Sequence, residues 1–483
     1  MDGASDADAK GSGLPQVPLL ASGAITAAAL LGSGQAEALL LCVAQTTVLG
    51  VLFARSLRGR RGWRSAEFAV AASWALLFTV PCWVYALDPG LLDRGSSARA
   101  TLILNVALYG YLIGLMLWRQ SGPPVDGPLH VAAVTPRTGV LKAWWLLGFA
   151  ALAVLLLRHG NPLEYLSRLD ETQATNRGAF FLVAIALLMR FSMLAWAAAR
   201  WSQGRPLERT ALALVVGGTA LVALTGGRLF VAVALVDFLL LFVLLRRSLP
   251  LRRVAPWAIA AGLVIVFGLG TIKRYQGYES AHPGTTTGFV EYATKRAPPE
   301  FAAAYVNNYV DGVRLLAIAD SLVPRSASYE GVRPLLEMAV RPLPNAIRPE
   351  IDRQPVLDAA FNPAEGSAYA MPLVVTSFLA GGVLVVLLAS LATGAFVGRL
   401  DRALASETIS AGTVAVVVVA IVSVPGVLRA GVPAGMMLLI VEIVGMWVVA
   451  RTGLRAGSEG AVAHPRAVAD GDAAMLRGTG SPN

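Results

Sequence analysis

The sequence predicts an all-α, polytopic membrane protein with about twelve transmembrane helices and one large helical outer loop. Three observations predict it. Of 483 residues, 56% are hydrophobic and 14% charged, whereas soluble domains carry about 25% charged residues. The charge is confined to short stretches between long apolar runs, each near the roughly 20 residues that cross a bilayer core. Finally, 40 Lys+Arg stand against 30 Asp+Glu, a net charge of +10, and the basic clusters fall in alternate short loops, as retention of positive loops in the cytoplasm requires. A soluble enzyme is therefore excluded. So is a nucleic-acid binder, because basic and aromatic residues do not interleave. Cys42 and Cys82 both lie in apolar runs, which gives neither a disulfide framework nor a zinc or iron–sulfur ligand set.

The spans read in order as 15–33, 37–54, 66–87, 98–118, 139–157, 178–199, 209–225, 228–245, 254–271, 371–397, 410–428 and 431–450. The first is the weakest, being rich in Gly and Ala. It is expected to be retained rather than cleaved, because Asp2, Asp6 and Asp8 outweigh Lys10 where a signal peptide would be basic. The loop bearing Arg55, Arg58, Arg60, Arg61 and Arg64 anchors the orientation. Alternation then places Arg119, Arg137 and Lys142, Arg200, Arg205 and Arg209, Arg246, Arg247, Arg252 and Arg253, Arg399 and Arg402, and Arg451 and Arg455 on that same cytoplasmic side. Both termini are expected there. The organisation is thus a polar tail 1–13, spans 1–9 over 14–272, an outer loop 273–370, spans 10–12 over 371–450, and a Gly-rich polar tail 451–483.

The outer loop carries ten Lys/Arg against eleven acids. Phe301, Tyr305 and Tyr309 recur at helical spacing after Pro298-Pro299-Glu300, which predicts a helix start there. A second helix is predicted over 329–340, and the run from Arg341 to Pro349 is expected to be extended because residues before proline avoid the α region.

Charges inside spans are costly and mark sites or internal pairs. Arg190, Asp237 and Glu442 are the intramembrane cases, and Arg190 can pair with either carboxylate. The same residues would suit a proton-coupled transporter. On the outer side stand Arg158, Arg168, Arg228, Lys273, Arg274, Arg341, Arg348 and Arg429. Guanidinium groups bind phosphate bidentately and stay charged, so several converging on one cavity would hold a lipid-linked pyrophosphate. Arg228 leads the set because Thr225-Gly226-Gly227 precedes it and exposes backbone amides beside a helix start. Asp6-Ala-Asp8 and Asp470-Gly-Asp472 have the shape of a nucleotide-sugar metal motif, yet both lie in polar tails and are set aside. Neither a phosphate-loop motif nor an H-E-x-x-H motif occurs, so ATP-driven transport and a zinc protease lack support, and the reading names no cofactor. Gly110-Tyr-Leu-Ile-Gly114 fits close helix packing.

The pattern resembles the O-antigen and oligosaccharide repeat-unit polymerases of the Wzy type and, more loosely, the O-antigen ligases. The resemblance rests on Thr225-Gly226-Gly227-Arg228 opening a span, Lys273-Arg274 leaving the next, and a large outer loop. That loop holds Tyr329-Glu330-Gly331, the run Arg341-Pro342-Leu343-Pro344-Asn345-Ala346-Ile347-Arg348-Pro349, and Gly366-Ser367-Ala368, with a span then entered through Gly381-Gly382. Architecture covers nearly the whole chain, and the residue matches cover about 225–400. The chain departs from the family's aromatic and Lys-Pro pattern around the proline segment, which leaves the register of the arginine contacts open.

The resemblance implies a metal-independent glycosyltransferase with GT-C-like membrane architecture, in a bacterial cytoplasmic membrane. It would join polyprenyl-diphosphate-linked repeat units into a polysaccharide on the outer face. Arg228, Arg274 and Arg341 would stabilise the leaving diphosphate, with Arg158, Arg168, Lys273, Arg348, Arg429, Tyr305 and Tyr309 binding substrate. Glu330 or Asp311 would act as base, with Glu300 and His282 behind them. A chain-length regulator and a flippase are the implied protein partners, and no nucleic acid is. A ligase of the same superfamily, or from a different class a transporter or flippase of lipid-linked sugars, remains the alternative. The absence of a detectable internal repeat favours an enzyme over a transporter.

Overall fold

The computed structural model describes residues 16–29, 35–58, 65–88, 92–119, 130–157, 180–208, 228–246, 291–296, 312–340, 342–343, 349, 351, 354–361, 371–406 and 408–456. Helix dominates them, as predicted. The helices are α1 (Gln16–Ala29), α2 (Gln35–Arg58), α3 (Ala66–Trp74), α4 (Val80–Leu87), α5 (Arg94–Arg119), α6 (Thr138–Leu157), α7 (Phe180–Ala186), α8 (Leu188–Ser202) and α9 (Arg228–Arg246). They continue with α10 (Gly312–Leu322), α11 (Arg333–Val340), α12 (Pro355–Phe361), α13 (Leu373–Ala405), α14 (Ala411–Ala430) and α15 (Met437–Gly453).

Among the described residues, eight helical stretches are long and apolar enough to cross a membrane: 36–56, 66–87, 94–118, 138–157, 180–202, 373–405, 411–430 and 434–453. Each coincides with a predicted span. Two shorter apolar stretches, Pro18–Ala29 and Val233–Leu245, fall on the predicted first and eighth spans. The predicted spans 209–225 and 254–271 lie outside the described residues. Large apolar side chains stand exposed along the helices, Leu20, Leu157, Leu384 and Trp447 among them, and in a helix bundle such a surface needs lipid as its solvent.

Local chemistry explains several boundaries. Pro81 has no amide hydrogen and crowds the carbonyl four residues earlier, and a wide π-helical turn over Ala75–Thr79 takes up the mismatch between α3 and α4. At the start of α3, Ser65 accepts from the Phe68 N–H at 3.1 Å. Asp401, arriving from α13, accepts from Ala66 at 2.8 Å and Glu67 at 3.2 Å. Three otherwise orphan amides are satisfied by a carboxylate and a hydroxyl at the positive end of the helix. Asp93 similarly caps α5, accepting from the Ser96 N–H at 2.9 Å. The Ser96 bonds hold the Asp93 carboxyl below the usual carboxylate range.

Helices α5 and α13 approach each other closely. A Cβ on Gly110 would meet the Leu387 carbonyl at 2.8 Å, while Gly114 faces the Leu391 carbonyl and Gly394 the Tyr111 carbonyl more closely still. Small residues let the two backbones approach, so the expected role of Gly110 and Gly114 is met.

Among the described residues, four three-residue strands, which the all-α reading did not foresee, join the segments between spans. Strand β1 (His130–Ala132) pairs in parallel with β3 (Thr408–Ser410), and β2 (Val134–Pro136) pairs antiparallel with β4 (Leu454–Ala456). Gln203 donates to the Val134 carbonyl at 2.7 Å, and Arg399 lies 5.5 Å from the Trp118 ring centroid. Together with the Asp401 cap, these contacts gather residues 55–58, 65–67, 118–119, 130–137, 200–208, 399–406, 408–410 and 451–456 at one end of the bundle. At the opposite end Arg99 pairs with Asp320 at 2.8 Å and the Val432 N–H meets the Thr376 hydroxyl at 3.5 Å. The described basic loops thus share one end, as alternation predicted.

Candidate functional site

The segment predicted as a helix over 329–340 is instead a loop through Val332 followed by α11 from Arg333. Gly331 has φ of 59°, a left-handed conformation that glycine adopts readily. The loop is held from several sides. Glu330 accepts from Arg333 Nη1 at 2.7 Å, Arg333 Nη2 donates to the Ile351 carbonyl at 3.1 Å, and Gln354 Nε2 donates to the Ser328 carbonyl at 2.9 Å.

What this loop touches is the interior of α13. The Gly381-Gly382 pair was read as the entrance to a span, but α13 begins at Leu373 and the pair breaks it from within. Gly381 has φ −176° and ψ 32°, and Gly382 φ 70° and ψ −158°. Breaking a helix in a membrane frees carbonyls that must find donors. Here the Glu330 N–H donates to the Leu379 carbonyl at 2.7 Å and the Gly331 N–H to the Ala380 carbonyl at 3.0 Å. The loop between α10 and α11 therefore completes the hydrogen bonding of a broken span. A side chain at Gly382 would meet the Tyr329 hydroxyl at 2.9 Å.

Beside the break lies a cavity of about 790 Å³. Its head is formed by Gly331 and Val332 of the loop before α11 and Leu335 of α11, with Thr376, Ser377 and Ala380 of α13. Its body follows α13 as far as Phe396, walled on the other side by α14, α15 and the π-helical turn Gly431–Met436. Beyond the break, the helical stretch from Val385 to Phe396 that lines the cavity rises about 17 Å. The lining is almost wholly apolar. Thr376 gives its hydroxyl to the carbonyls of Pro372 or Leu373, and Thr393 to Ala389 at 2.8 Å.

A second polar centre is buried between α8, α9, α14 and α15. Arg190 Nη2 is 2.7 Å from Asp237 Oδ2, and Nη1 is 2.9 Å from Glu442 Oε1. All three residues are at most 4% exposed. Ser423 adds its hydroxyl to Glu442 Oε2. The expected pairing of Arg190 is thus with both carboxylates at once. It sets the relative positions of three helices through one planar guanidinium, whose two outer nitrogens reach separate partners.

Of the outer residues picked from sequence, few fall among the described side chains. Arg228 begins α9, which agrees with its predicted place at a helix start, though its side chain is outside the described set. Arg429 sits in the last turn of α14, where a cation favours the negative helix end. Glu330 is engaged by Arg333, which gives its carboxylate an anchoring partner within the loop. Arg158, Arg168, Lys273, Arg274, His282, Glu300, Tyr305, Tyr309, Asp311, Arg341 and Arg348 lie outside the described residues.

Sequence reasoning quoted Tyr329 only within the Tyr329-Glu330-Gly331 motif and passed over Ser377. The signal for Ser377 was a hydroxyl close before a glycine pair in an apolar run, a pattern that also fits plain helix packing. Comparison of the chain with known protein families, with characterised proteins and with solved structures finds no match.

Proposed function

We propose that this chain is a metal-independent membrane glycosyltransferase of GT-C-like architecture. It joins polyprenyl-diphosphate-linked oligosaccharide repeat units on the outer face of a bacterial cytoplasmic membrane. The observation that carries the reading is the apolar cavity, which is lined by α13 from Leu373 to Phe396 and heads under helix α11. A lipid-linked substrate needs such a place: a trough for its chain in the hydrocarbon, ending where its headgroup leaves the membrane. The remaining support is the family resemblance of residues 225–400.

In the proposed reaction an acceptor hydroxyl attacks the anomeric carbon of the donor. The carbon–oxygen bond to diphosphate breaks, and the hydroxyl proton passes to a base in the outer loop, Asp311 or Glu330. Arg228, Arg274 and Arg341 take up the charge that develops on the departing diphosphate. A chain-length regulator and a flippase would be partners.

A second reading, a transporter of lipid-linked sugars, draws on two observations: the break within α13 and the buried Arg190–Asp237–Glu442 cluster. Broken helices and intramembrane ion clusters are common in transporters. Reconstitution with a lipid-linked oligosaccharide separates the readings. A ladder of lengthened products, abolished by Arg228→Ala or Arg341→Ala, is expected. Transfer to a different acceptor would identify a ligase, and movement of the lipid across the bilayer with no new glycosidic bond would replace the polymerase by a transporter.

A further inference from the structure

We propose that the break in α13 is a binding site for the phosphate of a long-chain lipid phosphate whose apolar chain lies in the adjoining cavity. The site rests on the lipid-linked reading above and adds the groups that hold the headgroup.

The break creates a second helix start inside the membrane. Residues 383–405 form a helical segment with its own N-terminus, whose first amides lack helical acceptors and which carries the positive end of the helix dipole. In an ordinary helix break the negative end of the preceding segment would oppose it. Here that end is already occupied, because the Leu379 and Ala380 carbonyls accept from the Glu330 and Gly331 amides. The positive end is left unopposed beside the cavity head, an arrangement that favours an anion.

Side chains supply an independent indication. Ser377 lines the cavity and is only 3% exposed, yet its hydroxyl makes no hydrogen bond with any described residue. The other lining hydroxyls, Thr376 and Thr393, are spent on backbone carbonyls. A buried hydroxyl without a partner in an apolar site is costly, and a ligand oxygen would satisfy it. The Tyr329 hydroxyl, 2.9 Å from where a Cβ on Gly382 would stand, is a second donor at the break itself. Beyond these groups the wall is Val385, Leu388, Phe396, Val424, Leu439 and Ile443. An anion accepted at the head must therefore carry a long apolar chain to fill the rest.

The test is binding to the purified full-length chain in nanodiscs, with four probes: a polyprenyl diphosphate, a polyprenyl monophosphate, the corresponding polyprenol and inorganic pyrophosphate. Both lipid phosphates are expected to bind at least 10-fold more tightly than the alcohol. The Ser377→Ala, Tyr329→Phe double variant should lose about 10-fold or more of that preference while binding the alcohol unchanged, a retained readout that also reports folding. Equal affinity for phosphate and alcohol, or a preference untouched by the double variant, would overturn the site. Inorganic pyrophosphate binding as tightly as the lipid would overturn the role of the cavity. These outcomes are independent of ladder formation. A protein that binds lipid phosphate at the break but forms no glycosidic bond leaves the site standing and removes the polymerase.

Discussion

Arg190 stands between Asp237 and Glu442 in the buried interior of the bundle, so its replacement strands two carboxylates in a low-dielectric surrounding. Removing one member of a buried ionic group typically costs about 3–5 kcal/mol, chiefly for the charge left behind. Arg190→Met is therefore expected to fall in that range. Asp237→Asn should cost markedly less, since it leaves a one-to-one pair between Arg190 and Glu442 at 2.9 Å. Thermal unfolding in detergent checks the order, and equal losses for the two would contradict the shared-guanidinium arrangement. Gly382 poses a separate residue-scale question. Its positive φ and the Tyr329 hydroxyl 2.9 Å from a would-be Cβ make Gly382→Ala destabilising by about 1–3 kcal/mol. Gly50→Ala, in open space on α2, serves as control and should be neutral to mildly stabilising because Ala is the better helix former.

Among the elements, α3 shows how a short helix in a membrane depends on a partner far away in sequence. Its first two amides end on the Asp401 carboxylate, 335 and 334 residues away. Asp401→Ala is expected to cost about 1 kcal/mol in unfolding free energy, within the range of lost helix caps, whereas Asp401→Asn keeps a carbonyl acceptor and should cost less. If both substitutions had no effect, the cap would be geometrically present but energetically idle. The same helix illustrates what sequence could and could not tell. Span 66–87 was legible because bilayer thickness fixes the length of an apolar run, and no competing pattern of that length exists in a soluble core. The π-helical turn before Pro81 was not, since proline in a membrane helix is accommodated in several ways. Residues 329–332 were placed in a helix because apolar spacing continues through them. A local pattern carries no trace of the long-range bonds from Glu330 and Gly331 to α13 that pull the segment into a loop. The pairing of Arg190 was legible for the opposite reason: a charge that deep has to find a counter-charge, and few were available.

At the scale of the whole molecule, the basic loops and the short strands describe the same division of the bundle into two ends. Sequence supplied that division through charge alone, without knowing that 130–136 would pair with 408–410 and 454–456. Three-residue strands have too little pattern to be read in advance, and their agreement with the charge count is therefore an independent argument for the topology. The proposed orientation puts this strand-bearing end in the cytoplasm, and it can be tested by cysteine labelling. The two native cysteines, Cys42 and Cys82, are both fully buried, so background reaction should be low. Gly95→Cys and Ser326→Cys place thiols at exposed positions of the end bearing α10 and α11, while Gln203→Cys and Ser406→Cys place them at the strand-bearing end. A membrane-impermeant maleimide applied to intact cells or outward-facing spheroplasts should label the first pair, and should label the second only after the membrane is opened. The reverse result would invert the protein and move the cavity head to the cytoplasmic face, where an outer-face polymerase could not use it. Labelling of all four from one side would mean that the spans joining the two ends do not cross the bilayer, and the two-ended architecture itself would fail.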